Sequence, residues 1–86
     1  PNLRLIVMLT DTAIRAMTPR EKVYRVADWG GLCLEVAPSG SKLWRYRYRY
    51  NGAARMMALG RWNETTLSEA RELHRAARKT LAAGLD

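Results

Sequence analysis

The run Trp44-Arg45-Tyr46-Arg47-Tyr48-Arg49-Tyr50 alternates without exception between aromatic residues and arginine. Side chains of a β-strand point to opposite faces with a period of two residues. Folded as a strand, the run puts four aromatic rings on one face and three guanidinium groups on the other. No helical arrangement separates them so cleanly. The alternation suits a sheet with one packed side and one side offered to an anion. The wider segment 42–61 carries Lys42, Arg45, Arg47, Arg49, Arg55 and Arg61 and no acidic residue.

The flanking sequence divides the chain by its turn signals. Thr10 is suited to N-cap a short helix over Asp11–Met17, with Leu9 and Ile14 at hydrophobic-staple spacing. Pro19 biases Thr18 away from helical geometry and ends it. Tyr24–Ala27 reads as a short strand, and Asp28-Trp29-Gly30-Gly31 as a turn. Leu32–Val36 alternates, with Leu32, Leu34 and Val36 inward and Cys33 towards the other face. Pro38-Ser39-Gly40-Ser41 turns the chain into the long strand Lys42–Tyr50. Asn51-Gly52 is a strong hairpin signal, and the returning strand covers about Ala53–Leu59.

A second helix is expected from Leu67. Thr66 and Glu69 have capping-box spacing, and Gly84 is a helix-terminating residue. Ala70, Leu73, Ala77 and Leu81 form its apolar stripe, which the Leu34/Val36/Trp44/Tyr46 face is suited to cover. The expected fold class is α+β. It comprises a small antiparallel sheet of three to four strands, with a short N-terminal helix and a longer C-terminal helix packed on one face. Residues 1–7 are either an extension ahead of a start at Met8 or part of an extra strand over Leu3–Met8. Residues 8–86 form the single domain.

Charge and composition narrow the function. Fifteen Lys and Arg against eight Asp and Glu give a formal net charge of +7, which favours a polyanionic partner. No apolar run approaches the ~20 residues of a membrane span. One cysteine excludes an internal disulfide and fits a reducing cytoplasm. One histidine with one cysteine does not make a zinc site, and neither a cofactor nor a metal is expected. The carboxylates are scattered, and neither His74 nor Cys33 has the partners of a catalytic base or nucleophile. No catalytic residue is assigned.

The candidate site is the arginine row. Guanidinium groups bind phosphate bidentately and read guanine O6 and N7 in the major groove. Arg45, Arg47 and Arg49 are the central DNA-binding candidates, with Ser41 and Lys42 at one end of the long strand and Arg55 beyond the hairpin. A solvated strand face is the plain alternative. Trp44 and Tyr46 are expected in the core, whereas Tyr48 and Tyr50 approach the hairpin tip. Arg71, Arg75 and Arg78 form a stripe read as a solvated helix face or a secondary phosphate contact. His74 is read as a boundary or surface residue. Two other functions stay open: binding of RNA or single strands through Tyr48 and Tyr50, and protein interaction or dimerisation through an edge strand such as Tyr24–Ala27.

Several segments together resemble a known family. They are Leu9-Thr10-Asp11, Asp28-x-x-Gly31-Leu32-x-Leu34-Glu35-Val36, and Pro38-Ser39-Gly40-Ser41-Lys42-x-Trp44-Arg45-Tyr46-Arg47-Tyr48-Arg49, followed by Asn51-Gly52, Leu59-Gly60 and Leu67-Ser68-Glu69-Ala70-Arg71. They are similar to the N-terminal arm-site DNA-binding domain of phage and genomic-island integrases of the tyrosine recombinase family. The resemblance implies a sheet that enters the major groove of arm-type sites. It implies a parent enzyme that cuts and rejoins DNA through a catalytic tyrosine in a separate domain, and oligomers formed through the full-length integrase. This fragment would then bind duplex DNA without catalysis. The sequence departs from the family at Ala53-Ala54-Arg55-Met56-Met57, where more basic residues are usual, and at Trp62-Asn63, where proline commonly follows the aromatic residue.

Overall fold

The computed structural model describes residues 8–84. The status of residues 1–7, and an extra strand over Leu3–Met8 apart from Met8 itself, lie outside the described residues. Six elements follow in order: α1 (Asp11–Ala16), β1 (Tyr24–Ala27), β2 (Leu32–Val36), β3 (Lys42–Tyr50), β4 (Ala53–Arg61) and α2 (Leu67–Ala82). The strands form one antiparallel meander in the order β1-β2-β3-β4, so the expected α+β class holds with four strands.

Local chemistry sets the boundaries. Thr10 Oγ1 accepts from the Ala13 N–H at 3.1 Å and starts α1. Thr66 and Glu69 close a reciprocal capping box on α2, at 3.1 and 2.9 Å. Gly84 takes a positive φ of 85° just past α2, and its N–H donates to Leu81 O. At the hairpin tip Asn51 and Gly52 both adopt positive φ, 51° and 78°, as a two-residue turn with the twist of its strands requires. β4 runs two residues past the expected end, to Arg61.

One face of the sheet packs beneath the helices. Leu32, Leu34, Val36 and Trp44 join Leu9, Ile14, Leu67 and Ala70 in a single buried cluster. Trp44 is fully buried, and its indole Nε1–H donates to Thr65 O at 2.9 Å. A tryptophan can lie in a core when its one polar group finds such a partner. Opposite Trp44 the ladder is irregular: Trp44 faces Gly60 whereas Arg45 faces Ala58, so Leu59 is an extra residue in β4. Gly60 has a φ of 134°, and a Cβ there would collide with Thr65 Oγ1.

Two expectations about α2 are corrected. Its buried residues are Leu67, Ala70 and His74, whereas Leu73 is 45% exposed. The packed stripe follows spacings of three, four, three and four through Leu67, Ala70, His74 and the half-buried Ala77 and Leu81, which leaves Leu73 on its flank. His74 is not a surface residue. It is fully buried, edge-on to the rings of Trp29 (5.2 Å) and Tyr46 (4.9 Å). Its Nε2 lies 2.8 Å from Gly30 O. A carbonyl only accepts, so Nε2 carries the proton.

Arg71 is likewise not a solvated cation. The Asp28 carboxylate is buried in the β1–β2 turn, where Oδ2 accepts from Arg71 Nε at 3.0 Å and Oδ1 from Arg71 Nη2 at 2.9 Å. Asp28 Oδ1 also accepts from the Leu9 N–H, and Arg71 Nη2 donates to Leu9 O, each at 2.9 Å. The hydrogen bonds to Asp28, more than any other influence, raise the Arg71 pKa above its ordinary value. One ion pair thus ties α2, the β1–β2 turn and the start of α1 together.

Removing one partner leaves the other's charge partly buried without compensation. Asp28→Ala is expected to cost about 3 kcal/mol of stability, read as a lower urea midpoint; an unchanged midpoint would show the pair to be dispensable. Glu69 supplies a pH signature. The Thr66 backbone N–H, then the Thr66 hydroxyl, lower its carboxyl pKa. Its contribution is therefore full above the unfolded carboxyl's pKa and is lost as pH falls through the lower folded value. Helix content followed by circular dichroism should fall less steeply with acid in Glu69→Gln than in the parent chain.

Candidate nucleic-acid interface

The face opposite the helices can be read row by row from the register, because directly paired residues share a face. One row runs Arg25, Glu35, Leu43, Arg61; the next runs Ala27, Cys33, Arg45, Ala58. Beyond them Arg47 pairs with Met56 and Arg49 with Ala54. The Arg47 N–H donates to Gly31 O at 2.8 Å, which continues the row towards β2. Gly31 has a φ of 92°, and a Cβ there would collide with the Arg47 carbonyl. The backbone approach that holds Arg47 in place needs glycine at this position.

Arg45, Arg47 and Arg49 therefore form a column down the centre of the exposed face. Their neighbours on either side are small: Ala27, Gly31 and Cys33 towards β1 and β2, and Ala54 and Ala58 on β4. Met56 is the exception. Arg47 and Arg49 are exposed beside these short neighbours, whereas Arg45 is half-buried. Glu35, the acid on this face, accepts from Arg25 Nε at 2.9 Å and lies 3.5 Å from Arg45 Nη2. Arg25 and Arg45 are thus partly compensated. Arg49 Nη1 donates to Gly52 O at 3.0 Å within the hairpin. Arg47 is exposed, and its side chain makes no hydrogen bond or ion pair within the described residues.

The bulge at Leu59 has a consequence for charge. It restores Arg61 to the exposed face opposite Leu43; an unbroken ladder would have turned Arg61 towards the helices. β2 pairs with β3 only over Lys42–Tyr46. The distal part of β3 and the matching part of β4 consequently project as a two-stranded ribbon carrying Arg47, Arg49 and Met56 on one side.

Three other candidates lie elsewhere. Lys42 pairs with Val36 and faces the helices, where its Nζ donates to Ile14 O at 2.8 Å and closes the end of α1. Arg55 pairs with Tyr48 on the helix-side face of the ribbon, with its guanidinium 5.5 Å from the Tyr50 ring centre. Ser41 is exposed in the β2–β3 turn, its carbonyl accepting from the Ala37 N–H. The structure thus groups Arg45, Arg47 and Arg49 and separates them from Lys42, Arg55 and Ser41. It adds Arg25, by the alternation of β1, and Arg61, which strand alternation alone does not bring to this face.

Cys33 is buried at the centre of this face, and that burial raises the thiol pKa above its ordinary value despite Arg25, Arg47 and Arg45 nearby. A neutral thiol is a poor nucleophile. Among the described residues no cluster of His, Cys, Asp and Glu is placed to hold a metal ion, and no helix is long and apolar enough to cross a membrane.

Residues 9–86 match the family model described as the arm DNA-binding domain. This chain belongs to that family. The arm DNA-binding domain described here is 42% identical over 79 residues to the integrase of Shigella phage Sf6, covering 92% of this chain and 20% of that protein. It matches a prophage integrase of Escherichia coli to the same extent. Against the integrase of Enterobacteria phage P4 it is 39% identical over 88 residues, covering 100% of this chain and 19% of that protein. The domain spans about a fifth of the length of these relatives.

Because Lys42 caps α1, Lys42→Met should lower stability by about 1–2 kcal/mol through the lost charge-assisted bond. Its salt dependence of DNA binding, measured well below the melting temperature, should match that of the parent chain. A reduced salt slope would place Lys42 on phosphate instead.

Proposed function

We propose that this arm DNA-binding domain docks its β3–β4 ribbon into the major groove of duplex DNA at arm-type sites, as the anchoring module of a site-specific integrase that acts in DNA integration and excision. The observation that carries the reading is the projecting ribbon with Arg47 and Arg49 exposed on one side. The major groove is about 12 Å wide and admits a two-stranded ribbon. Alternate residues of a strand are spaced by about 6.6 Å, close to two base-pair rises. Arg45, Arg47 and Arg49 then address successive steps along the groove. Arg47 takes the central base contact, bidentate to guanine O6 and N7. Arg25 and Arg61, at the margin of the face, approach phosphates, and Arg55 on the reverse of the ribbon faces a groove wall. Residues 8–86 form the binding unit. In the parent integrase, cutting and rejoining reside in a separate domain with a catalytic tyrosine.

Duplex binding is favoured over a single-strand reading by the placement of the aromatic rings. Tyr48 stacks on Tyr46 at 5.1 Å, on the face opposite the arginine column. A base stacked on Tyr48 or Tyr50 would lie away from Arg45, Arg47 and Arg49, whereas a duplex engages that column directly.

Affinity for duplex DNA should fall with salt by about 0.9 logarithmic units per logarithmic unit of salt for each phosphate contact. Arg47→Ala should weaken binding to a selected duplex by about 1–3 kcal/mol, some 5- to 150-fold, and relax the preference for one base pair. Fluorescence anisotropy at two salt concentrations reads both quantities. Full affinity in Arg47→Ala would remove the arginine column from the interface.

A further inference from the structure

Met56 stands out on the exposed face. It is 37% exposed, although it is a long apolar side chain. It occupies the outward column of β4 between Ala54 and Ala58 and directly opposite Arg47. β4 is an edge strand, and exposed edges are normally protected by charge or proline. Here the outward positions from Ala54 to Ala58 are apolar throughout, and only Met56 has reach. Nothing in the packing requires it, because the core lies on the other side of the sheet.

We infer that Met56 reads the 5-methyl group of a thymine in the major groove, at a base pair next to the guanine addressed by Arg47. The inference rests on the ribbon docking proposed above. Paired residues in a sheet hold their Cβ atoms about 5 Å apart, so Arg47 and Met56 enter the groove side by side at the same depth. The thymine methyl is the apolar group that the major groove presents, and apolar side chains are its usual partners. Methionine is unbranched and flexible enough to seat against it, whereas Ala54 and Ala58 are too short to reach. Arg47 and Met56 together make a cross-strand reader of a guanine with an adjacent thymine.

The test begins with a randomised duplex pool selected on the 86-residue chain. Each thymine of the selected duplex is then replaced singly by uracil, which removes the methyl group and leaves the pairing edge intact. One replacement, beside the guanine whose loss Arg47→Ala no longer senses, should weaken binding about fourfold, the ~0.8 kcal/mol of one buried methyl group. Met56→Ala should bind the thymine and uracil duplexes equally, while Met56→Leu should keep the difference. Thermal melts of both variants should match the parent, since the position is exposed. A selected site without thymine next to that guanine overturns the inference. So does uracil tolerance at every position, or sensitivity that persists in Met56→Ala. If Arg47→Ala binds the selected duplex at full strength, the docking itself fails; if only the uracil effect is missing, the assignment of Met56 fails alone.

Discussion

The buried carboxylate of Asp28 determines which side of this sheet is covered. It accepts three hydrogen bonds, two from Arg71 of α2 and one from the Leu9 amide. Those bonds lock the long helix and the N-terminal segment onto the same face. Burying a charge without such partners would cost several kcal/mol, so the helix cannot slide or lift without breaking the arrangement. With α2 fixed there, Trp44 and Tyr46 are sealed beneath it. The period of two along β3 then leaves Arg45, Arg47 and Arg49 on the bare side. The exposed basic face follows from an interaction on the opposite side of the molecule.

What makes that face useful is the contrast between its central column and the residues beside it. A mixed surface would pair each guanidinium with a carboxylate. Here Glu35 serves Arg25 and, at longer range, Arg45, and the column beyond it runs on without an acid. Like charges on one strand repel, and an anionic partner relieves that cost. The alanines, the glycine and the buried cysteine around the column leave Arg47 and Arg49 exposed, while Arg45 is half-buried beside Glu35. Membership of the arm DNA-binding family makes DNA the partner of the domain; the docking proposed above assigns it to this face.

Much of this was legible in the sequence because local signals carried it. Asn51-Gly52 fixes the hairpin, and counting outward from it already sets Arg49 opposite Ala54 and Arg47 opposite Met56. The Thr10 cap and the Thr66–Glu69 box start the two helices as expected. Lys42, Arg71 and His74 depend on tertiary contacts. Lys42 was legible as a cation at a strand end, but its capping of α1 joins segments 28 residues apart in sequence. Arg71 resembled a solvated cation because Asp28 lies 43 residues away. His74 lies on the helical stripe of Leu67 and Ala70, but its polar ring conceals that it enters the core, where the Gly30 carbonyl satisfies its proton. The extra residue at Leu59 turns Arg61 to the exposed face, and only the glycine after it hints at irregularity.

The most direct test of the account follows the arginine Nε–Hε signals of the labelled chain by NMR as duplex DNA is added at two salt concentrations. The account predicts salt-sensitive shifts for Arg45, Arg47 and Arg49, while Arg71, held by Asp28 on the opposite face, stays in place. Shifts confined to Arg71, Arg75 and Arg78 would contradict it, placing DNA against α2 and returning the arginine column to solvent.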